Sequence, residues 1–349
     1  MANNKDINIL PLKVVQDFNK KYPQAMGLCD FMVQAKGKDL TNWDDCCIIP
    51  IAATLAVGGK VNKGNGHSIA QAMAAVYSWR KYKEIYSFDE DFAKLLYQQA
   101  DDIEIPVEAI KLPYPCIFIQ DCKEGGFFCW IENDPNDGSY ELRFWYVSDN
   151  NYKGMPFILH LINGGTISDA VKETSRQAIE STLKFGDVAN ELKSRGIESV
   201  DELEEFFNRH QDAQTDIISK MLQLVLYICA ENTQKEENPE QKKITRRTPD
   251  SEKKPKDALR EVKKWDVGYR IGSAIRRSAP ASEPSERVSS KHYESSKKRP
   301  HTRRGHYHHF WIGSNSDGTR RIVLKWVAPM FINFSDDDDN NPATIHPVK

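Results

Sequence analysis

Four of the chain's nine histidines fall within the run Arg299-Pro300-His301-Thr302-Arg303-Arg304-Gly305-His306-Tyr307-His308-His309-Phe310-Trp311-Ile312-Gly313. Imidazoles titrate near neutral pH and can donate, accept or ligate a metal, while guanidiniums offer forked donors that match phosphate oxygens. Three chemistries follow. The first is metal-free RNA cleavage, which needs a base for the ribose 2′-hydroxyl, an acid for the leaving oxygen and cations for the phosphorane charge. His301, His306 and His308 are the candidates for proton transfer, with Arg303 and Arg304 as cations, and none is assigned a catalytic role on these grounds alone. The second is metal binding by His306 and His308, two apart on a strand, with His301. Arg303 and Arg304 would repel a cation and Asp317 is the one local carboxylate, so no metal site is assigned. The third is binding without chemistry. Arg299, Arg303, Arg304, His306 and His308 would hold RNA phosphates, and Tyr307, Phe310, Trp311 and Trp326 would stack on bases or fill a small core. Core is the expectation for Trp311 and Trp326. A purely structural role would not need so many cationic donors in one run.

The elements that must position these groups can be read from the pattern. His306 to Gly313 and Arg320 to Val327 have strand character, and Ser314-Asn315-Ser316-Asp317-Gly318 between them is turn-like, so a β-hairpin is expected. Strand alternation puts His306, His308 and Phe310 on one face and Tyr307, His309 and Trp311 on the other. Trp265 to Arg277 reads as a short basic amphipathic helix, which adds Arg276 and Arg277 to the phosphate-binding candidates. Upstream, Leu10 to Asp101 reads mainly as helix, with Asp89-Glu90-Asp91 as an acidic helix start. Pro115–Asp121, Phe127–Glu132, Tyr140–Val147 and Phe157–Ile162 are short strand-like runs between turn signals, the pattern of an antiparallel meander. Thr166 or Ser168 caps a following helix, and Ser199 with Glu202 fits a capping box for another. Asp216 to Ala230 is apolar on most sides, which predicts a central buried helix. The expected fold class is therefore α+β: a mainly helical amino-terminal part, a meander, a buried helix, then a basic helix and hairpin.

Composition sets the outer bounds. The 349 residues are 28% charged and 40% hydrophobic, with a mean hydropathy of -0.61, so a soluble protein with real cores is expected. There is no apolar run of membrane-spanning length and no signal-peptide core at the start, so no membrane association is expected. Seven Cys without a Cys-x-x-Cys pair read as reduced, mostly buried thiols of a cytoplasmic protein. The net charge of -2 hides an asymmetry: Lys242 to Val327 holds 23 Lys and Arg against 9 Asp and Glu, leaving 25 against 41 elsewhere. The layout this suggests is an acidic body over 1–232, a linker over 233–257, a basic module over 258–334 and an acidic, disordered tail over 335–349. The basic part suits RNA, DNA or an acidic protein surface. Gly58-Gly59-Lys60 lacks P-loop spacing, nothing resembles a hydrolase triad or dinucleotide fingerprint, and no cofactor is expected.

The terminal run Arg299-Pro300-His301-x-Arg303-Arg304-Gly305-His306-x-His308, continued by Trp311-x-Gly313, resembles the AcrVA-type anti-CRISPR family. Arg321-x-Val323 with Lys325-Trp326, Phe331-Ile332-Asn333, and Ile271-Gly272 with Ile275-Arg276-Arg277 also fit. Weaker echoes include Trp79-Arg80, Ile85-Tyr86 with Asp89-Glu90, Leu112-Pro113, Pro156-Phe157-Ile158-Leu159 and Leu226-Tyr227-Ile228-Cys229-Ala230-Glu231. The resemblance implies an inhibitor carried by a mobile genetic element such as a phage and acting in the bacterial cytoplasm. It would recognise the nascent amino-terminal polypeptide of a type V-A Cas effector and trigger degradation of the encoding mRNA. The partners it implies are that peptide and an mRNA, a ribosome or a host nuclease; assembly as a homodimer is left open. On the residues alone, a metal-independent endoribonuclease and a nucleic-acid-binding repressor remain the alternatives.

Overall fold

The computed structural model describes residues 9–38, 42–99, 103–121, 125–133, 138–148, 151–184, 216–238, 262–278, 301–303 and 305–332. Four helices come first: α1 (Leu10–Lys21), α2 (Ala25–Gln34), α3 (Ile51–Val61) and α4 (His67–Tyr82). Helix α4 carries small and apolar residues on almost every side and is the most buried of them, with Met73, Ala74, Ala75, Val76, Tyr77 and Trp79 excluded from solvent. It crosses α3 at a point where only glycine fits, since a Cβ on Gly66 would lie 2.4 Å from the Leu55 carbonyl oxygen.

Lys83 closes α4 in the left-handed conformation, and the chain turns directly into β1 (Glu84–Phe88). This strand lies inside the segment expected to be helical. Its five residues are all buried, and so short a run carries neither a helical nor an alternating period. After α5 (Glu90–Tyr97) come β2 (Cys116–Gln120), β3 (Gly125–Asn133), β4 (Tyr140–Ser148) and β5 (Asn151–Leu161), the expected antiparallel meander. Helix α6 (Ile167–Lys184) begins with a reciprocal cap: Thr166 Oγ1 accepts from Asp169 N at 3.1 Å, and Asp169 Oδ2 accepts from Thr166 N at 2.9 Å. Residues 216–229 form the expected buried helix, α7. The Ser199 capping box lies outside the described residues.

Two further strands join the sheet. β6 (Lys235–Glu237) falls in the stretch read as linker, and β7 (Lys263–Val267) in the stretch read as helix from Trp265; the helix starts later, as α8 (Tyr269–Ser278). The seven strands run in the order β5-β4-β3-β2-β1-β7-β6, with β1 parallel to both β2 and β7. Parallel pairing buries a strand on both faces, and β1 is buried throughout, its polar Glu84 and Ser87 included. Alternate strand residues serve two cores. Ile85, Cys116, Phe118, Phe128, Trp130 and Trp145 pack against α1–α4. Tyr86, Phe88, Ile117, Phe127, Phe144 and Leu159 pack against α5, α7 and α8 on the other side. The chain is thus α+β in class. Its six cysteines among the described residues are all free thiols, and burial pushes Cys29 and Cys47 up to about 12. No helix among the described residues is long and apolar enough to cross a membrane.

Candidate functional site

The second core ends in the hairpin of β9 (His306–Ile312) and β10 (Arg321–Val327). Its register pairs Tyr307 with Trp326, His309 with Leu324 and Trp311 with Ile322, so these share one face. That face packs inward. Ile322, Leu324 and Trp326 are buried, and the Trp326 ring sits 5.4 Å from Phe92 of α5 and 5.3 Å from Tyr227 of α7. Polar bonds fix the position. Asn232 clamps the Trp326 backbone, donating to its carbonyl and accepting from its N–H, both at 2.8 Å. Tyr307 Oη donates to the Gln223 carbonyl at 2.7 Å, and Arg321 pairs with Glu231 at 2.8 Å. Trp326 is the core residue expected from the sequence. Trp311 is not: near the hairpin tip it is 48% exposed, with the Arg320 guanidinium 4.6 Å over its ring.

The opposite face carries His306, His308, Phe310 and Ile312, paired with Val327, Lys325, Val323 and Arg321. Apart from Val323 and Val327 these side chains are exposed. His308 stacks on Phe310 at 4.3 Å and 23°, and Lys325 Nζ lies 5.8 Å from the same ring. A cation, an imidazole and an aromatic plane therefore share one exposed strip.

Beside the start of β9 a cavity of about 370 Å³ opens, lined by Gln99, Glu104, Gln223, Gly305, His306 and His308 among others. Its polar groups have defined orientations. The Trp326 indole N–H, which can only donate, is 3.2 Å from Gln99 Oε1, so Gln99 Nε2 is the amide nitrogen. Gln223 Nε2 donates to the Gln99 carbonyl at 3.0 Å, so the other terminal atom is Oε1. Gln99 Nε2 and Gln223 Oε1 are both buried and have no hydrogen-bond partner. No group of three or more His, Cys, Asp or Glu among the described residues is arranged to hold a metal ion.

Residues 86–334 match the AcrVA2-like family, the anti-CRISPR type V subtype A2 family. The chain belongs to that family. The AcrVA2-like match starts within β1 and runs past the hairpin, so it takes in the candidate site and all of the sheet but the first two residues of β1, and leaves out α1–α4. Protein FinQ of Escherichia coli is 23% identical over 301 residues, covering 81% of this chain and 82% of FinQ. A crystal structure of AcrVA2 superimposes with a TM-score of 0.53 at 18% identity, over 92% of this chain and 98% of that one, which is a likeness of fold.

Within this AcrVA2-like protein the sequence-derived candidates take different places. His306 and His308 stand on the outer hairpin face and at the cavity. Strand β8 (His301–Arg303) pairs with β11 (Met330–Ile332), which brings the backbone of His301 and Arg303 next to the hairpin; Arg299 and Arg304 lie outside the described residues. Arg276 is engaged elsewhere. Its guanidinium grips Asp89 through two bonds of 3.0 and 2.9 Å and Asp91 at 2.6 Å, and these carboxylates raise its pKa further. Arg277 donates to the Ser273 carbonyl at 3.2 Å. Gln99 and Gln223 were not candidates. Gln223 did carry a signal, as a lone amide within the apolar run Met221-Leu222-Gln223-Leu224-Val225; Gln99 carried none.

Proposed function

We propose that this protein lowers production of a type V-A Cas effector by binding the effector's nascent amino-terminal polypeptide through its acidic body, while the basic hairpin engages RNA and brings about loss of the message. The observation that carries this reading is the division of labour across the hairpin. One face spends its residues on anchoring, and the other presents His306, His308, Phe310 and Lys325 to solvent, the side-chain types that hold phosphates and stack on bases. Family membership supports a Cas-related target. For the peptide, the body offers a groove of about 490 Å³ lined by Ile110, Leu112, Tyr114 and Ile131, where the carboxylates of Asp44 and Glu108 outnumber the one ammonium, Lys111. Apolar residues flanked by basic ones would suit that lining. Addition to the free sheet edge is less apt: β5 holds Pro156, which has no N–H, and its His160 N–H already donates to Thr174 Oγ1 at 2.9 Å.

A metal-independent endoribonuclease is the second reading, favoured by the placing of His306, His308 and Glu104 around one cavity. The deciding experiment co-expresses the protein with three effector messages: the natural one, a synonymous recoding, and one whose amino-terminal peptide is frameshifted. Loss of the first two and survival of the third is expected. Equal loss of all three would replace peptide capture with direct RNA recognition. Cleavage of purified RNA by the protein alone, abolished in His306→Ala, would establish the second reading.

A further inference from the structure

Asp336-Asp337-Asp338-Asp339 is the longest unbroken acidic run of the chain, and it begins four residues past β11. The run itself lies outside the described residues, but the surface within its reach does not. Strand β11 pairs with β8 and prolongs the hairpin: Met330 stands opposite Arg303, Val327 opposite His306 and Lys325 opposite His308. The outer face there carries His306, His308 and Lys325 and no Asp or Glu. Among the described residues no carboxylate pairs with any of these three. The inner face is closed, since Leu324 and Trp326 are buried and Arg321 is taken by Glu231. Strands rise about 3.3 Å per residue, so Lys325 lies at most about 23 Å back from Ile332. Extended chain from Asn333 to Asp339 covers about 23–25 Å. Doubled back, the run comes alongside the segment from Ala328 to Lys325, and the four-carbon stem of Lys325 closes what a turn uses up. Arg320, at the far end of the hairpin, is out of range.

We propose that Asp336–Asp339 lies in cis on the outer face of the hairpin, against His306, His308 and Lys325, and withholds that face from RNA until the RNA displaces it. The withholding rests on the reading that the hairpin engages RNA; the contact itself does not. An extended Asp run carries one charge per about 3.3 Å, close to the one per about 3.4 Å along a single strand of a nucleic-acid duplex, so a face that suits one suits the other. A single exposed ion pair is weak. Here a short tether supplies an effective concentration of about 1 mM, so a contact with an intrinsic Kd of about 0.1–1 mM covers the face for about half to nine-tenths of the time. RNA then binds about two- to tenfold more weakly than it would to the uncovered face.

Two measurements on the full-length protein test this, one of them blind to RNA. Carbodiimide couples an ammonium to a touching carboxylate with loss of water. Mass spectrometry of the monomeric fraction should find Lys325 joined to one of Asp336–Asp339, and strong salt should abolish the link. Absence of that link, with coupling detected at the exposed pair Lys94 and Glu90, would overturn the proposal. Its appearance only in covalent dimers would give the run to a second copy and overturn the contact in cis. The second measurement compares short single-stranded RNA bound by the wild type and by a variant combining Asp336→Asn, Asp337→Asn, Asp338→Asn and Asp339→Asn. The variant should bind about two- to tenfold more tightly at low salt, and the difference should vanish at high salt. The gain should be largely lost in a Lys325→Ala background and persist in an Arg320→Ala background. Equal affinities of wild type and variant, or a gain that Lys325→Ala leaves untouched, would overturn the withholding. Binding of RNA by neither protein would overturn the RNA reading, while the cross-link still decides the contact.

Discussion

Gly272→Ala is the sharpest test of how α8 is docked. In an ordinary helix interior this change stabilises, by up to about 1 kcal/mol, because alanine restricts the unfolded chain. Here the new Cβ would stand 1.8 Å from Asp89 Oδ1 and 2.2 Å from its Cγ, so the carboxylate must move. That carboxylate is the N-cap of α5, with Oδ1 accepting from Asp91 N at 3.1 Å and Phe92 N at 3.3 Å, and Asp89 is 5% exposed. Loss of the cap costs about 1 kcal/mol, and a buried carboxylate with unmet bonds adds roughly 1–3 kcal/mol. Less the propensity gain, a net destabilisation of about 1–3 kcal/mol is expected. Urea unfolding should show this as a lower midpoint at unchanged slope. The cause is separable by a cycle: in an Asp89→Ala background there is no carboxylate to displace, and Gly272→Ala should be neutral or stabilising. Equal costs in the two backgrounds, or stabilisation with Asp89 in place, would refute the reasoning.

Four other outcomes are expected. Leu324→Ala should cost about 2–5 kcal/mol in chemical denaturation, since it empties a buried position between the hairpin and α7. Asn232→Ala should cost about 1–3 kcal/mol, because both bonds to the Trp326 backbone are lost and no other side chain takes them. His308→Ala and Phe310→Ala should leave stability within about 0.5 kcal/mol of wild type yet end message loss in co-expression, since their side chains are exposed. Burial pushes Glu132 up to about 7, against an ordinary 4.5. The folded state then binds its proton more tightly than the unfolded chain, so the charged form costs stability fully above pH 7 and not at all below about pH 4.5. Stability should therefore rise by up to about 3 kcal/mol as pH falls through that window, and Glu132→Gln should flatten the curve.

Much of this arrangement was legible in the sequence, for reasons visible in particular residues. The hairpin followed from alternation, and its faces fell as the period of two required: Trp326 inward, His306 and His308 outward. The meander and the buried helix at 216–229 announced themselves through turn residues and through apolar residues on every side. What stayed hidden was non-local. Nothing in Glu84-Ile85-Tyr86-Ser87-Phe88 says that it pairs in parallel with Lys263–Val267, because the partner is set by tertiary context. Trp265 looked like one side of a helix because Tyr269, Ile271 and Ile275 follow at helical spacing, and the break at Gly268 separates the two elements. Trp311 was misplaced: its parity is that of the inward face and its partner Ile322 is buried, yet its own ring stays 48% exposed under the Arg320 guanidinium. Arg276 and Arg303 look alike in sequence, and only the fold shows Arg276 gripping two carboxylates. The lining of the cavity comes from three separate segments, and no spacing rule links Gln99, Gln223 and Gly305.

The pairing of β1 with β7 also sets a timetable. Glu84 and Trp265, joined by a 2.7 Å bond from the indole N–H to the carboxylate, are 181 residues apart in the chain. At elongation rates of about 5–20 residues per second, roughly 10–40 s separate the synthesis of the two. Throughout that interval one edge of β1 has no strand beside it, and the apolar side of the sheet waits for Trp326, which emerges later still. The protein's own birth is thus slow in its last step, with long-range contacts closing only once the basic hairpin is made. Message truncated before β7 should yield chains that aggregate or are degraded rather than a free-standing acidic half, so the groove beside Leu112 and Tyr114 would exist only in molecules that already carry the hairpin.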